Sequence, residues 1–223
     1  MRTLLLIVAL LLTPCAIAIA ADEAAKPDDA KYLADLDKRA DGVLQELQLT
    51  DAEKAARVKQ AVIDQYRAIK QVDDETIALA PKGDKAAADK AKESAAAAKK
   101  PLHDAFLAKL SADLMPGQVE TVKDKMTYNV VRVTYDAFCD MIPALTDAQK
   151  TYILAQLKEA REIAMDQGTS NEKHAVFGKY KGRINNYLSK EGYDLKQATK
   201  EWADRRKARE ASAKQAAATQ PAN

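Results

Sequence analysis

Glycine and proline are scarce in this sequence, at seven residues each in a chain of 223. Because these residues form most tight turns, their scarcity argues against a fold of many short strands. Alanine, lysine, glutamate and leucine, which favour helices, are abundant. The β-branched and aromatic residues that favour strands are few. We predict an all-α fold, a multi-helix bundle built from helical hairpins.

Cysteine and histidine are rarer still, with two of each. Cys15 lies in an apolar N-terminal stretch, which leaves Cys139 alone in the rest of the chain and without a partner for an internal disulfide. A cysteine nucleophile needs a nearby base, and a metal site needs several ligands. His103 and His174 are far apart in the sequence, so we expect no metal and no cofactor.

No charge of one sign dominates, and the formal net charge is +2. Such a balance gives no electrostatic indication of nucleic-acid binding, so we expect no nucleic-acid partner. The sequence also lacks a glycine-rich phosphate loop, a G-x-S-x-G nucleophile motif and an H-E-x-x-H zinc motif. Carboxylates are so frequent that no pair of them stands out as an acid and a base. The question of enzyme activity stays open, and the sequence leans towards a protein that is not an enzyme.

The only long apolar run is N-terminal. The stretch "MRTLLLIVALLLTPCAIAIAADE" combines a basic residue, an apolar core and small residues in an A-x-A pattern. We interpret residues 1–21 as a signal peptide, cleaved near Ala20 or Ala21, and Pro14 directly before Cys15 argues against a lipoprotein. No later segment is apolar for long enough to span a bilayer. We expect the mature protein to be exported and soluble, in the periplasm or outside the cell, without stable membrane insertion.

The mature chain divides into two helical regions by its pattern of apolar residues. Residues 22–113 predict an N-terminal helical hairpin region, in which "KAAADKAKESAAAAKK" forms an exposed arm. Residues 114–212 predict a C-terminal helical region, and residues 213–223 a disordered tail. The β-branched run "NVVRVTY" interrupts the helical pattern, so we expect an irregular or short extended crossover at about 127–135.

Three helix starts carry the pattern of a capping box, in which a threonine and the residue three positions later bond to each other's backbone. The pairs are Thr50 with Glu53 in "LTDAEK", Thr146 with Gln149 in "LTDAQK", and Thr169 with Glu172. These residues mark the beginnings of helices rather than a catalytic site.

The segment "SNEKHAVFGKYKGRINNYL" contains the candidate binding site. At about 100° per residue, its apolar side chains share one arc of a helix. The candidates along one flank of this arc, with an aromatic wall beside them, are His174, Gly178, Lys181, Asn185 and Tyr180. A helical glycine costs roughly 0.5–1 kcal/mol relative to alanine. We therefore expect another helix, a loop or a ligand to approach the backbone closely at Gly178 and Gly182.

Two interpretations of this flank stay open. A row of lysine, asparagine and histidine side chains suits an anionic or polyhydroxyl ligand. Alternatively, the row hydrogen-bonds another segment of the chain, such as "TYNVVRVTY", and the glycines permit a tight helix crossing.

The phrases "MTYNVVRVTYDAF", "FGKYKGRINNYL" and "GYDLKQATKEW" resemble a family of exported bacterial proteins known as domain of unknown function 3826. The resemblance covers about Tyr32 to Arg206 and implies an exported, mostly helical protein with no assigned activity. More loosely, "LTDAEK" and "LTDAQK" are similar to the L-T-x-x-Q motif of the Spy/CpxP-type periplasmic chaperones. That likeness implies a small all-α envelope protein that shields unfolded clients.

We expect an exported binding or interaction protein of the cell envelope, with a chaperone-like role as one version of this function. Its partner would be a protein client or an anionic or polyhydroxyl ligand. The alternative is an enzyme that acts on an envelope or extracellular glycan, with His174 as acid and base and with Lys181 and Tyr180 as substrate contacts. A structural scaffold is a third possibility, and the oligomeric state is left open.

Overall fold

A computed structural model describes residues 27–79 and 83–218. These residues form eight α-helices and no strand, which confirms the all-α prediction. The helices are α1 (Pro27–Leu47), α2 (Ala52–Leu79), α3 (Lys85–Asp113), α4 (Pro116–Met126), α5 (Val130–Met141), α6 (Asp147–Met165), α7 (Ser170–Lys190) and α8 (Leu195–Ala218). The main helical hairpins pair α2 with α3 and α6 with α7.

Two hydrophobic clusters hold the helices together. The N-terminal cluster comes from α1 to α4 and includes Leu36, Val62 and Phe106. The C-terminal cluster comes from α5 to α8 and includes Leu157 and Phe177. Each fully buried side chain of this size contributes about 1.5–3 kcal/mol by leaving water. α4 packs in the N-terminal cluster, although the sequence division at residue 114 placed it in the C-terminal region.

One helix belongs to both clusters. Most buried residues of α6 lie in the C-terminal cluster, but its last residue, Met165, is 1% exposed and packs in the N-terminal cluster. α6 also forms ion pairs with α4, in which Arg161 binds Asp124 at 2.6 Å and Glu120 at 2.6 Å. The two halves of the fold therefore meet along α6.

The helix starts follow the capping prediction at two of the three sites. Thr146 accepts from the backbone N–H of Gln149, whose side chain accepts from the Thr146 N–H, and Thr169 forms the same box with Glu172. The start of α2 differs from the prediction. There the carboxylate of Asp51 accepts from the Lys54 N–H at 3.0 Å, and the helix begins at Ala52. A negative charge at a helix N-terminus also interacts favourably with the helix dipole, which favours Asp51 over the neighbouring threonine.

The expected crossover at 127–135 is much shorter than predicted. Only Thr127–Asn129 is irregular, and the expectation of an extended run after Asn129 is wrong because α5 begins at Val130. The apolar residues Val131, Tyr135, Phe138 and Ile142 are spaced as on a helix and pack in the C-terminal cluster. Burial of this face outweighs the intrinsic strand preference of the β-branched residues.

The arm and the tail are also helical where they are described. The alanine- and lysine-rich arm is the first half of α3, and its residues Ala95 and Lys99 are buried rather than exposed. α8 continues to Ala218, so the first part of the expected disordered tail is helix. Residues 219–223 and the expected signal peptide at 1–21 lie outside the described residues. Within the described ranges, no helix is long and apolar enough to cross a membrane.

Candidate functional site

α7 buries the arc that its sequence predicts. Phe177, Tyr180, Ile184 and Leu188 are buried in the C-terminal cluster, where α7 packs against α6. The polar candidates therefore point away from the core. His174, Gly178, Lys181 and Asn185 are all exposed and lie along one flank of the helix. We call these four residues the exposed flank of α7.

The side chains of the exposed flank have almost no partners among the described residues. Lys181 and Asn185 form no side-chain hydrogen bond or ion pair there. His174 has one ring contact, a stack on Tyr128 with 5.6 Å between ring centroids and 15° between planes. One interpretation of the sequence was that this row hydrogen-bonds another segment of the chain, such as "TYNVVRVTY". Among the described residues, the contact with that segment is a single aromatic stack, of His174 on Tyr128.

The two glycines near this flank have open space around them. A Cβ atom built on Gly178 or on Gly182 has no described atom within 4 Å. The predicted close crossing by another helix or loop is therefore wrong. Since no packing by the described residues requires glycine here, the helix backbone at these two positions faces outward beside the polar side chains.

Tyr180 lies apart from the other four candidates. It is 4% exposed, its hydroxyl donates to Glu159 Oε1 at 2.7 Å, and the Arg183 guanidinium lies 4.3 Å from its ring centroid. Burial raises the pKa of Tyr180, and the bonded Glu159 carboxylate raises it further. Tyr180 therefore lies in the contact between α6 and α7.

The aromatic ring beside the exposed flank belongs to Tyr128, whereas Tyr180 was the expected aromatic wall. It is 45% exposed and occupies the turn between α4 and α5, where Tyr128 has φ 60° and Asn129 has φ 55°. A left-handed conformation costs a residue other than glycine on the order of 1–3 kcal/mol. The turn is held by the Asn129 N–H, which donates to the Asp124 carbonyl at 2.8 Å. This strained turn presents the tyrosine ring to His174.

Lys173, next to this flank, is a buried cation. It is 1% exposed, its Nζ donates to the Met165 carbonyl at 3.3 Å, and it lies 5.4 Å from the ring centroid of Tyr66. No carboxylate among the described residues forms an ion pair with it. Burial and, to a smaller extent, the nearby positive charge of Arg39 lower the pKa of Lys173 to about 8.

A cleft of about 640 Å³ lies on the opposite flank of α7, between α3, α6 and α7. His103 lies in its wall, with Nδ1 3.1 Å from Asp166 Oδ1 and Nε2 3.5 Å from Glu162 Oε2. Hydrogen bonds to Asp166 and then Glu162 raise the pKa of His103 to about 9, so the ring is cationic at neutral pH. Burial opposes ionisation of Glu162, but His103 and Lys123 hold its pKa at about 2.

The ion pair of Lys99 with Asp73 also lines this cleft. Lys99, whose side chain is 7% exposed, binds Asp73 Oδ1 at 2.5 Å. Gly168, in the α6–α7 loop, allows Asp73 to occupy this place, because a Cβ atom there would lie 2.7 Å from Asp73 Oδ2. Within the described residues, no group of three or more potential ligands is arranged to hold a metal ion.

The sequence model of the family described as "Protein of unknown function (DUF3826)" matches residues 33–208. The chain belongs to the DUF3826 family. The matched range agrees with the resemblance seen in the sequence, which extended from about Tyr32 to Arg206. Among curated proteins, no sequence matches the chain. These comparisons give no support to the looser resemblance to the Spy/CpxP-type chaperones.

Several residues of this DUF3826 chain were missed by the sequence analysis. Lys173 lies in the middle of the apolar arc of α7, and that position was a signal of burial. Lys99 follows Ala95 and precedes Phe106 at helical spacing, which indicated a buried face within the lysine-rich arm. The sequence alternative in which this row contacts "TYNVVRVTY" named the segment that contains Tyr128, but it predicted hydrogen bonds rather than the stack of Tyr128 on His174.

Proposed function

We propose that this protein binds an acidic glycan of the cell envelope along the exposed flank of α7. The proposal depends on one observation, which is that the side chains of this flank make almost no contacts that stabilise the described fold. Lys181 and Asn185 have no side-chain partner in the described structure, and Gly178 has no neighbour that requires a glycine. A helix selected for stability alone would carry alanine at that position. Residues that do not serve the fold are candidates for contact with a ligand.

The chemistry of the flank suits sugars that carry carboxylates. The exposed Tyr128 ring, stacked on His174, offers a flat face of the kind on which a sugar ring packs. Lys181 supplies a cation for an acidic group, and Asn185 can donate and accept hydrogen bonds with hydroxyls. From His174 to Asn185 the flank is about 16 Å long, at 1.5 Å per residue. That length favours a polymer over a single small molecule.

Export is part of the same proposal. It depends on the N-terminal pattern of a basic residue, an apolar run and small residues before Asp22. An exported protein meets envelope and extracellular glycans, which agrees with a polyhydroxylated ligand.

We propose binding rather than catalysis because all four residues of the exposed flank lie on an open helix surface. Catalytic groups usually work in a closed site from which water is excluded. A chaperone-like role has less support, because the large exposed apolar side chains of the described residues are spread over separate elements, with Leu33 on α1, Val133 on α5 and Ile163 on α6.

The test is a binding measurement with alginate, a polymer of uronic acids, and with dextran as an uncharged comparison. We expect the mature protein to bind immobilised alginate and to ignore dextran. Lys181→Ala should weaken binding about tenfold, which is the effect of losing one hydrogen bond to a charged group. Lys179→Ala is the matched control, since Lys179 lies on the same helix but on the flank of the cleft.

Tyr128→Ala should weaken binding by a similar factor if its ring carries a sugar. The proposal is wrong if alginate does not bind, or if Lys179→Ala and Lys181→Ala weaken binding equally. The second result would indicate that the polymer responds only to the total positive charge.

A further inference from the structure

The cleft between α3, α6 and α7 is separate from the exposed flank and has its own construction. α3 contributes one face through residues three and four positions apart, among them Ala96 and Lys99. α7 contributes Ala175 and Lys179 from the flank opposite His174. The volume of about 640 Å³ is within the range of about 300–1,000 Å³ that is typical of small-molecule sites.

Part of the cleft lining is apolar. All three helices contribute to this part, with Ala95 and Ala96 from α3, Ile163 from α6, and Ala175 and Val176 from α7. Ile163 is 44% exposed, which makes it one of the few large apolar side chains of the described residues that the core does not cover. Small residues on both walls leave the space open, and an exposed isoleucine inside it gives an apolar ligand a surface to pack on.

The charges of the cleft separate into a paired interior and an unpaired rim. Inside, Lys99 is paired with Asp73, and His103 is paired with Asp166 and Glu162. These pairs fix the side chains in place and cancel one another's charge. On the rim, Lys92 of α3 and Lys179 of α7 line the cleft and form no ion pair with any described carboxylate. Glu172 also lines the cleft, and its carboxylate accepts hydrogen bonds from Thr169 but forms no ion pair with a described residue. Two unpaired lysines against this one carboxylate leave a net unpaired charge of +1, with one lysine on each wall.

We infer that this cleft binds a small organic anion with an apolar body. The acid group would meet the rim lysines, and the apolar body would lie on Ile163 and the alanine walls. The paired interior then serves to hold α3 against α6 and so keeps the cleft open. This inference is independent of glycan binding, because the two sites share no residue.

The probe is 8-anilinonaphthalene-1-sulfonate, a sulfonate with an apolar body whose fluorescence rises when it leaves water. We expect saturable binding at one site per chain. Ala175→Trp would fill the cleft from a wall position that is exposed, so the fold should tolerate it. It should weaken binding at least tenfold, and Ala96→Trp on the facing wall should do the same. Unchanged melting temperatures confirm that both variants are folded.

The charge requirement is tested by the double variant Lys92→Ala/Lys179→Ala, with Lys181→Ala as the control from the opposite flank. We expect the double variant to weaken binding of the sulfonate about tenfold and to leave binding of the uncharged N-phenyl-1-naphthylamine unchanged. Equal binding by the wild type and by both tryptophan variants would overturn the inference, because the probe would then bind elsewhere. Equal loss in Lys181→Ala would overturn the role of the rim lysines.

Discussion

Lys173→Met should stabilise the protein, although it removes a hydrogen bond. Lys173 is 1% exposed, and its pKa is lowered from 10.5 to about 8, mainly by burial. Each unit of this shift corresponds to about 1.36 kcal/mol, so keeping the charge in the folded protein at pH 7 costs about 3 kcal/mol. Methionine has nearly the same length and carries no charge. After the loss of the contacts to Met165 and Tyr66, worth about 1 kcal/mol together, a net gain of about 2 kcal/mol is expected.

The sign of the pH dependence follows from the same shift. Between pH 8 and pH 10.5 the unfolded chain holds its proton on Lys173 and the folded chain does not, so the contribution of Lys173 to stability rises with pH. The difference in unfolding free energy between Lys173→Met and the wild type should therefore be largest at pH 7 and should shrink as the pH rises through this window.

The assay is urea denaturation of both proteins at pH 7 and at pH 9.5, with Lys179→Met as a control at an exposed position of the same helix. Comparison at a fixed pH cancels the titration of groups that both proteins share, including His103 and Tyr66. The reasoning is refuted if Lys173→Met is less stable than the wild type at pH 7, or if the difference is the same at both pH values.

Three further predictions can be checked with the same material. The pKa of His103 is raised to about 9. The stabilisation that protonated His103 contributes is therefore fully present below pH 6.5 and is lost as the pH rises through 9. His103→Gln should lower the melting temperature at pH 6 much more than at pH 9.5. Gly178→Ala and Gly182→Ala should each raise the free energy of unfolding by about 0.5–1 kcal/mol, whereas Gly168→Ala should lower it because of the contact with Asp73. N-terminal sequencing of the protein released by the host should begin at Ala21 or Asp22, and an intact N-terminus would contradict export.

The parts of the fold that were predictable from sequence depend on neighbours along the chain. The boxes at Thr146 and Thr169 join residues three positions apart, and the core face of α7 follows from helical periodicity alone. The β-branched residues of α5 have a high strand propensity, which led to the prediction of an extended run. The segment is helical because its apolar residues from Val131 to Phe138 are spaced so that a helix buries them on one face.

The candidate sites were harder to predict because they join distant residues. His103 is 63 positions from Asp166, and only the tertiary fold brings the two side chains to 3.1 Å. Their charges gave no local signal in a chain where charged residues make up 30% of the total. The exposed flank of α7 was recognisable from its spacing, and its partner segment "TYNVVRVTY" was one of the alternatives, but the aromatic stack of Tyr128 on His174 was not predicted.

The position of Met165 has a consequence for the order in which the chain can fold during synthesis. The N-terminal cluster is otherwise complete at residue 126, yet it is closed by the last residue of α6, which the ribosome adds 39 residues later. Until then, the first four helices leave an apolar surface uncovered in a nascent chain that folds from its N-terminus. The packing of the N-terminal cluster is therefore completed only after α6 has been synthesised, and through Met165 the stability of the first half depends on the second.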